Sequence, residues 1–237
     1  NNNATYNGGA VYNFVTEQYG NNNINLTTNN NEKNGGNEYI TFNTCTFNTN
    51  KSTNGGAVYN IYGLNQRVLV NTTTSNNLKK GQLGTGIFAF NSCTFTANSA
   101  ENGGGMYSHL NSQALGIEGK PSSKHLKIFF GNTVQLSSCS YSENTAVNGG
   151  AMYNFGGSYY LDNITSTKNK ATNLGGSIYV TVQGNLNIEN SSFNNDSALF
   201  EGGAICSENG SYLSLTNSTF TSCYSNNSAG AILNKGG

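Results

Sequence analysis

Asp162 and Glu189 occupy matching places in two successive copies of a repeat. If the copies stack, their carboxyl groups lie about 5 Å apart, the separation at which a retaining glycosidase holds its acid and its nucleophile. The chain has two aspartates, nine glutamates and one arginine, mostly dispersed, so this pair is its nearest approach to a catalytic constellation. The simpler reading is two solvated carboxylates on an outward strand position. His109 and His125 share one insertion and have no aligned Ser or Cys partner. The aspartates of a calcium-binding G-G-x-G-x-D repeat are absent. Threonine rows able to order water reach only Thr44, Thr46 and Thr94. The sequence therefore implies no cofactor and no catalysis, with a carbohydrate-active site at Asp162 and Glu189 as the alternative.

Other aligned residues carry softer chemistry. Cys45, Cys93 and Cys139 fall on one line, continued by Ile164, Ser191 and Ser218. Stacked side chains point in parallel, a poor geometry for bridging, so these read as buried free thiols packing as small apolar groups. No histidine or second cysteine pair lies near enough in sequence to make a metal site. The pairing of Cys206 and Cys223 is left open. Tyr12, Tyr59, Tyr107, Tyr153 and Tyr179 form a second line, placed outward by alternation, where rings can stack on sugars or lie beneath neighbouring loops. Asn163, Asn190 and Asn217 align with Thr44, Ser92 and Ser138 at a bend. A further line runs through Asn50, Asn98, Asn144 and Asn169 to Asp196. Amides stacked in this way bond to one another and to turn backbone, so both lines read as structural ladders.

All these alignments rest on one repeat. Gly-Gly-Ala-Val-Tyr occurs at 8–12 and 55–59, and returns as GGGMY, GGAMY, GGSIY, GGAIC and AGAIL. Its second glycine falls at 9, 56, 104, 150, 176, 203 and 230, giving spacings of 47, 48, 46, 26, 27 and 27. In phase with it run CTFNTN (45–50), CTFTAN (93–98), CSYSEN (139–144), ITSTKN (164–169), SSFNND (191–196) and STFTSC (218–223). Alternating stretches precede each of them: YITF, IFAF, TVQL, YYLD, NLNI and YLSL. Period-two alternation rich in β-branched and aromatic residues marks half-buried strands.

A unit of 26 or 27 residues cannot bury a core alone, but stacked units share one. The expected fold is all-β, a right-handed parallel β-helix of about six coils, forming a single domain over 1–237. Ile40 and Phe42, Phe88 and Phe90, Val134 and Leu136, Leu186 and Ile188, and Leu213 and Leu215 should point inward. Phe47, Phe95, Tyr141, Phe193 and Phe220 should stack on one another, with Ser166 interrupting the line. The glycine pairs should sit where the backbone needs positive φ or very close approach. A β-sandwich is the main competitor, and it would not require the same motif at every turn.

The F-x-x-N and G-G-A-I/V pairing, as in CTFTANSAENGGGMYS, resembles the repeats of the polymorphic outer membrane proteins, the β-helical passengers of bacterial autotransporters. The likeness extends from Gly8 to Leu233. It implies a right-handed β-helix, secretion, surface display, and adhesive or structural duty.

The three longer spacings place about 20 extra residues at one corner, in insertions 13–38, 60–86 and 108–132. They hold seven of the eleven basic residues: Lys33, Arg67, Lys79, Lys80, Lys120, Lys124 and Lys127. Such a wall is the natural contact surface for a neighbouring molecule or an anionic glycan. Sequons are as frequent as chance predicts in a chain with 44 asparagines. Asn25 and Asn71, in the insertions, are the candidate N-glycosylation sites, and sequons in inward ladders are excluded.

Composition narrows the partners. The formal net charge is zero and 9% of residues are charged, which disfavours nucleic acid. No apolar run is long enough for a membrane helix. The reading that results is an extracellular, cell-surface structural or adhesive protein, part of a fibre, stalk or filament, with glycan as a further partner. Self-association is expected, head to tail or by continuation of a longer solenoid, since neither end carries a cap.

Overall fold

The computed structural model describes residues 2–17, 38–64, 86–110 and 133–235. They form a parallel β-helix, with the right-handed sense that crossovers between parallel strands take. Four parallel sheets run along it, and in each the strands follow one another in chain order.

The first sheet carries the residues after the glycine pairs: Val11–Glu17, Val58–Leu64, Met106–Leu110, Met152–Phe155, Ile178–Thr181, Ile205–Ser207 and Ile232–Asn234. The alternating stretches make the second, from Glu38–Asn43 through Gly86–Asn91, Thr133–Ser137, Ser158–Asp162 and Asn185–Glu189 to Tyr212–Thr216. The aromatic motif makes the third, in strands of three residues: Thr46–Asn48, Thr94–Thr96, Ser140–Ser142, Thr165–Thr167, Ser192–Asn194 and Thr219–Thr221.

A fourth sheet lies between the Asn turn and the glycine pair, in Thr145–Asn148, Lys170–Leu174, Ser197–Ala198 and Tyr224–Ser225. Single bridges through Asn3, Lys51, Ser99 and Thr145 carry it to earlier coils. The sequence offered no strand there, because these segments are short and mostly polar.

Two devices turn the chain at every coil. Residues on both sides of each three-residue strand take positive φ: Thr44 and Thr49, Ser92 and Ala97, Ser138 and Glu143, Asn163 and Lys168. At the glycine pair the two residues meet different demands. Gly55 has φ +63°, while a β-carbon on Gly56 would lie 2.7 Å from the Ser99 carbonyl oxygen and closer still to that of Gly104. Gly55 needs positive φ and close approach together, since a β-carbon there would overlap the Val58 carbonyl oxygen, whereas Gly56 needs close approach alone.

Apolar side chains fill the interior as the alternation predicts. Phe88, Phe90, Val134, Leu136, Leu186 and Ile188 are buried, with Val58, Met106, Met152, Ile178 and Ile205 facing them from the first sheet. Ile40, Phe42 and Leu213 pack against this core while partly buried. Leu215 lies in register with the buried Ile188 and, on the terminal strand of this sheet, is exposed. Phe47 stacks on Phe95 at 4.8 Å, Phe95 on Tyr141 at 4.5 Å, and Phe193 on Phe220 at 4.8 Å. Ser166 stands where the next ring would be, bonded to Ser177 Oγ at 2.7 Å.

Candidate functional site

Asp162 and Glu189 end adjacent strands of the second sheet and are direct partners in its register. Both are exposed. Asp162 Oδ1 accepts a hydrogen bond from Asn190 Nδ2 at 2.9 Å. Ser137 and Thr216 flank the pair along the same row. Strand register therefore brings the two carboxylates together, on an open outer face.

The tyrosine row is continuous: Tyr12 stacks on Tyr59 at 5.1 Å, Tyr59 on Tyr107 at 5.1 Å, and Tyr107 on Tyr153 at 5.0 Å, while Tyr179 meets Tyr153 edge-on at 4.9 Å. Its exposure is uneven. Tyr12 is half exposed, Tyr107 and Tyr153 are intermediate, and Tyr59 and Tyr179 are buried. The ring faces are taken up by neighbouring rings, so most of the row has little face free for a sugar. Burial raises the Tyr59, Tyr107 and Tyr153 hydroxyls above their ordinary pKa, and burial with a hydrogen bond to Glu208 does the same for Tyr179.

His109 lies in the strand Met106–Leu110, paired with Ile61 and Phe155, and not in an insertion proper. Its ring sits 4.4 Å from that of Phe155, and burial lowers its pKa.

Cys45, Cys93 and Cys139 are free thiols, the last two buried and Cys45 intermediate. They do more than fill space. Cys139 Sγ accepts the Cys93 backbone N–H at 3.4 Å and donates to the Phe90 carbonyl at 3.3 Å. Farther along, Ser191 Oγ accepts the Ile164 N–H at 3.0 Å and Ser218 Oγ accepts that of Ser191 at 3.2 Å. Thiol and hydroxyl fill the same place here: at the bend between the second and third sheets, each accepts a backbone N–H from the preceding coil. Cys206 is buried and Cys223 intermediate, and both are free.

The asparagine ladders differ in depth and direction. The inner one is buried: Asn50 donates its backbone N–H and its side-chain amide to Asn98 Oδ1, both at 2.9 Å. Asn98 does the same to Asn144, Asn144 to Asn169 and Asn169 to Asp196. Spare amide hydrogens of Asn98, Asn144 and Asn169 reach the carbonyls of Phe47, Phe95 and Tyr141.

The bend ladder is exposed, which corrects the inward placement expected for such sequons: positive φ at Asn163, Asn190 and Asn217 turns these side chains out of the core. Asn217 Nδ2 donates to Asn190 Oδ1 at 2.8 Å, Asn190 to Asp162, and Asn163 to Ser138 Oγ at 3.0 Å. A further ladder runs through the residue before each glycine pair, ending at Asn173, which stands two residues before its pair. Asn54 donates to Asn7, Asn102 to Asn54, Asn148 to Asn102 and Asn173 to Asn148. The inner ladder donates toward later coils and the outer ones toward earlier coils.

Asp196 is the least settled group inside. It is fully buried, and its Oδ2 is without a hydrogen-bond partner. Burial lifts its pKa to about 6, against hydrogen bonds from Asn169 and Ser166 that pull it down.

Arg67, Lys79, Lys80, Lys124, Lys127, Lys33, Lys120, His125, Asn25 and Asn71 lie outside the described residues. Among the described residues, no group of three His, Cys, Asp or Glu side chains comes together to hold a metal ion. Nor is any helix there long and apolar enough to cross a membrane. Compared with protein-family models, curated proteins and solved structures, the chain matches none.

Proposed function

We propose that this chain is an extracellular structural or adhesive β-helix that acts as a stiff rod at a cell surface and presents its corner insertions to partners. The observation that carries the reading is the stacking itself. Amide, thiol and ring columns link the described coils, and in each sheet a strand pairs with its equivalent one coil away. Such a structure resists bending through every column at once, a mechanical property that needs no reacting groups. The likeness of its GGA[IV] and FxxN motifs to the polymorphic outer membrane proteins supports surface display. Each coil offers its neighbour the register that it receives, so association along the axis into a fibre belongs to the proposal. Insertions 13–38, 60–86 and 108–132, which carry Arg67, Lys79, Lys80, Lys124 and Lys127, supply its contacts to a neighbouring chain or an anionic glycan.

Electron cryo-microscopy of native material tests this. Rods with a repeat that is a multiple of the coil spacing are the expected result, and discrete particles would remove the fibre. The register partnership of Asp162 and Glu189 favours the second reading, a carbohydrate-active β-helix. Glycan depolymerisation lost in an Asp162→Asn, Glu189→Gln variant would replace the structural proposal with that one.

A further inference from the structure

The outer face of the third sheet carries one kind of chemistry along all its described strands. Each three-residue strand points its middle residue inward and the other two outward. The first outward row reads Thr46, Thr94, Ser140, Thr165, Ser192, Thr219, and the second Asn48, Thr96, Ser142, Thr167, Asn194, Thr221. All twelve are Thr, Ser or Asn; none is charged and none is aromatic. The outer face of the second sheet, by contrast, mixes Tyr160, Asp162, Gln135, Glu189 and Tyr212. Seven of the twelve are threonines, interrupted by Ser140, Ser192, Asn48, Ser142 and Asn194, so an unbroken threonine row extends only through Thr46 and Thr94. Strand register, with serine and asparagine counted beside threonine, brings out the array.

Its geometry is regular. The six strands pair without a register shift, and positive-φ corners bound each one on both sides. Five steps between strands make the face roughly 24 Å long, with side chains repeating about 4.8 Å across strands and about 6.6 Å along them. Hydroxyls on neighbouring coils hold one another in place: Thr96 Oγ1 lies 3.2 Å from Ser142 Oγ, and Ser140 Oγ donates to Thr94 Oγ1 at 3.3 Å. No residue of either row is buried.

We infer that this face binds an ordered lattice of water, that is, the surface of ice. A charged group holds its own hydration shell and disrupts a foreign lattice, and neither row of this face has one; Glu143 and Lys168 stand outside it, at the positive-φ corner beside the second row. Hydroxyls and amides fixed at a two-dimensional repeat hold waters at matching intervals, and the threonine methyls limit competing hydration between them. Crystalline polysaccharide is the other repeating ligand, but its recognition draws on exposed rings, and here Phe47, Phe95, Tyr141 and Phe193 all point into the core. The inference is independent of the fibre reading, since it needs only the described coils.

The test is partition of the whole chain into a slowly growing ice hemisphere, together with inhibition of ice recrystallisation. The chain should enter the ice and restrain grain growth. A Thr94→Lys, Thr165→Lys variant, with unchanged thermal unfolding, should lose both effects. An Asn187→Lys control on the second sheet should keep them. Exclusion of the parent chain from ice overturns the inference, as does equal partition of parent and double variant. Retention on microcrystalline cellulose or chitin without entry into ice would also overturn it, assigning the face to glycan.

Discussion

Asn169 gives both its backbone N–H and its side-chain amide to one oxygen of Asp196, at 2.8 and 3.0 Å, and the other oxygen of that carboxyl is buried without a partner. The inner ladder thus passes from amides to an acid whose pKa burial raises from 3.8 to about 6. Between those values the folded chain binds more protons than the unfolded one, so stability falls as pH rises through the window and levels off above it. The loss should be on the order of 2–3 kcal/mol. Urea unfolding from pH 3.5 to 7.5 would measure it, and Asp196→Asn should flatten the profile. An unchanged slope in that variant would show that another group is responsible.

Truncating an inner rung should cost more than truncating an outer one. Asn144→Ala removes the acceptor for two Asn98 donors and leaves the Phe95 carbonyl and Asn169 Oδ1 each short of a donor. The expected loss is roughly 3 kcal/mol or more. Asn163→Ala, which gives up one bond to Ser138 and puts alanine at φ +55°, should lose about 1–2 kcal/mol. Denaturant midpoints of the two variants make the comparison.

The two kinds of glycine should respond differently to one added methyl group. Gly104→Ala drives a β-carbon into the Thr145 backbone, at 2.7 Å from its carbonyl oxygen, and should destabilise by more than about 2 kcal/mol. Gly210, with φ +72°, has only Gln183 Cγ nearby at 3.5 Å. Gly210→Ala should carry only the left-handed backbone cost of about 1–2 kcal/mol. Similar losses at the two sites would contradict the close approach assigned to Gly104.

Thiol labelling should follow depth. Burial pushes Cys139 up to about 11 and Cys206 up to about 12, and it raises Cys93 and Cys223 as well. The thiolate is the reacting form, so the native chain at pH 8 should leave Cys93, Cys139 and Cys206 unmodified while Cys45, partly exposed, reacts first. Peptide mapping after a timed iodoacetamide pulse reads the order, and all five should label in urea. Early loss of Cys139 would be incompatible with its burial beside the bend at Ser138.

What the sequence disclosed depended on how tightly each position is constrained. Gly8, Gly55 and Gly103 were legible because backbone φ leaves few other choices, and Phe47, Phe95 and Tyr141 because each ring needs the one below it. The same registration placed Asp162 beside Glu189. The corners at Ala97, Glu143 and Lys168 gave no sign, since positive φ there is imposed by the coil and not chosen by the residue. The outward direction of Asn163, Asn190 and Asn217 is not legible, because a one-dimensional alignment fixes height along the rod but not direction. The tyrosines were read as an outward row, yet Tyr59 and Tyr179 are buried all the same, which alternation alone could not reveal.

The opposed directions of the asparagine ladders bear on how such a rod can lengthen. A column of amides all pointing one way sums its dipoles, as a helix backbone does, and would leave partial charges of opposite sign at its two ends. Here the inner column, through Asn50, Asn98 and Asn144, runs against the outer one through Asn54, Asn102 and Asn148. The two columns point in opposite directions from Asn50 to Asn169, so part of the dipole that each coil adds to one is offset by the other.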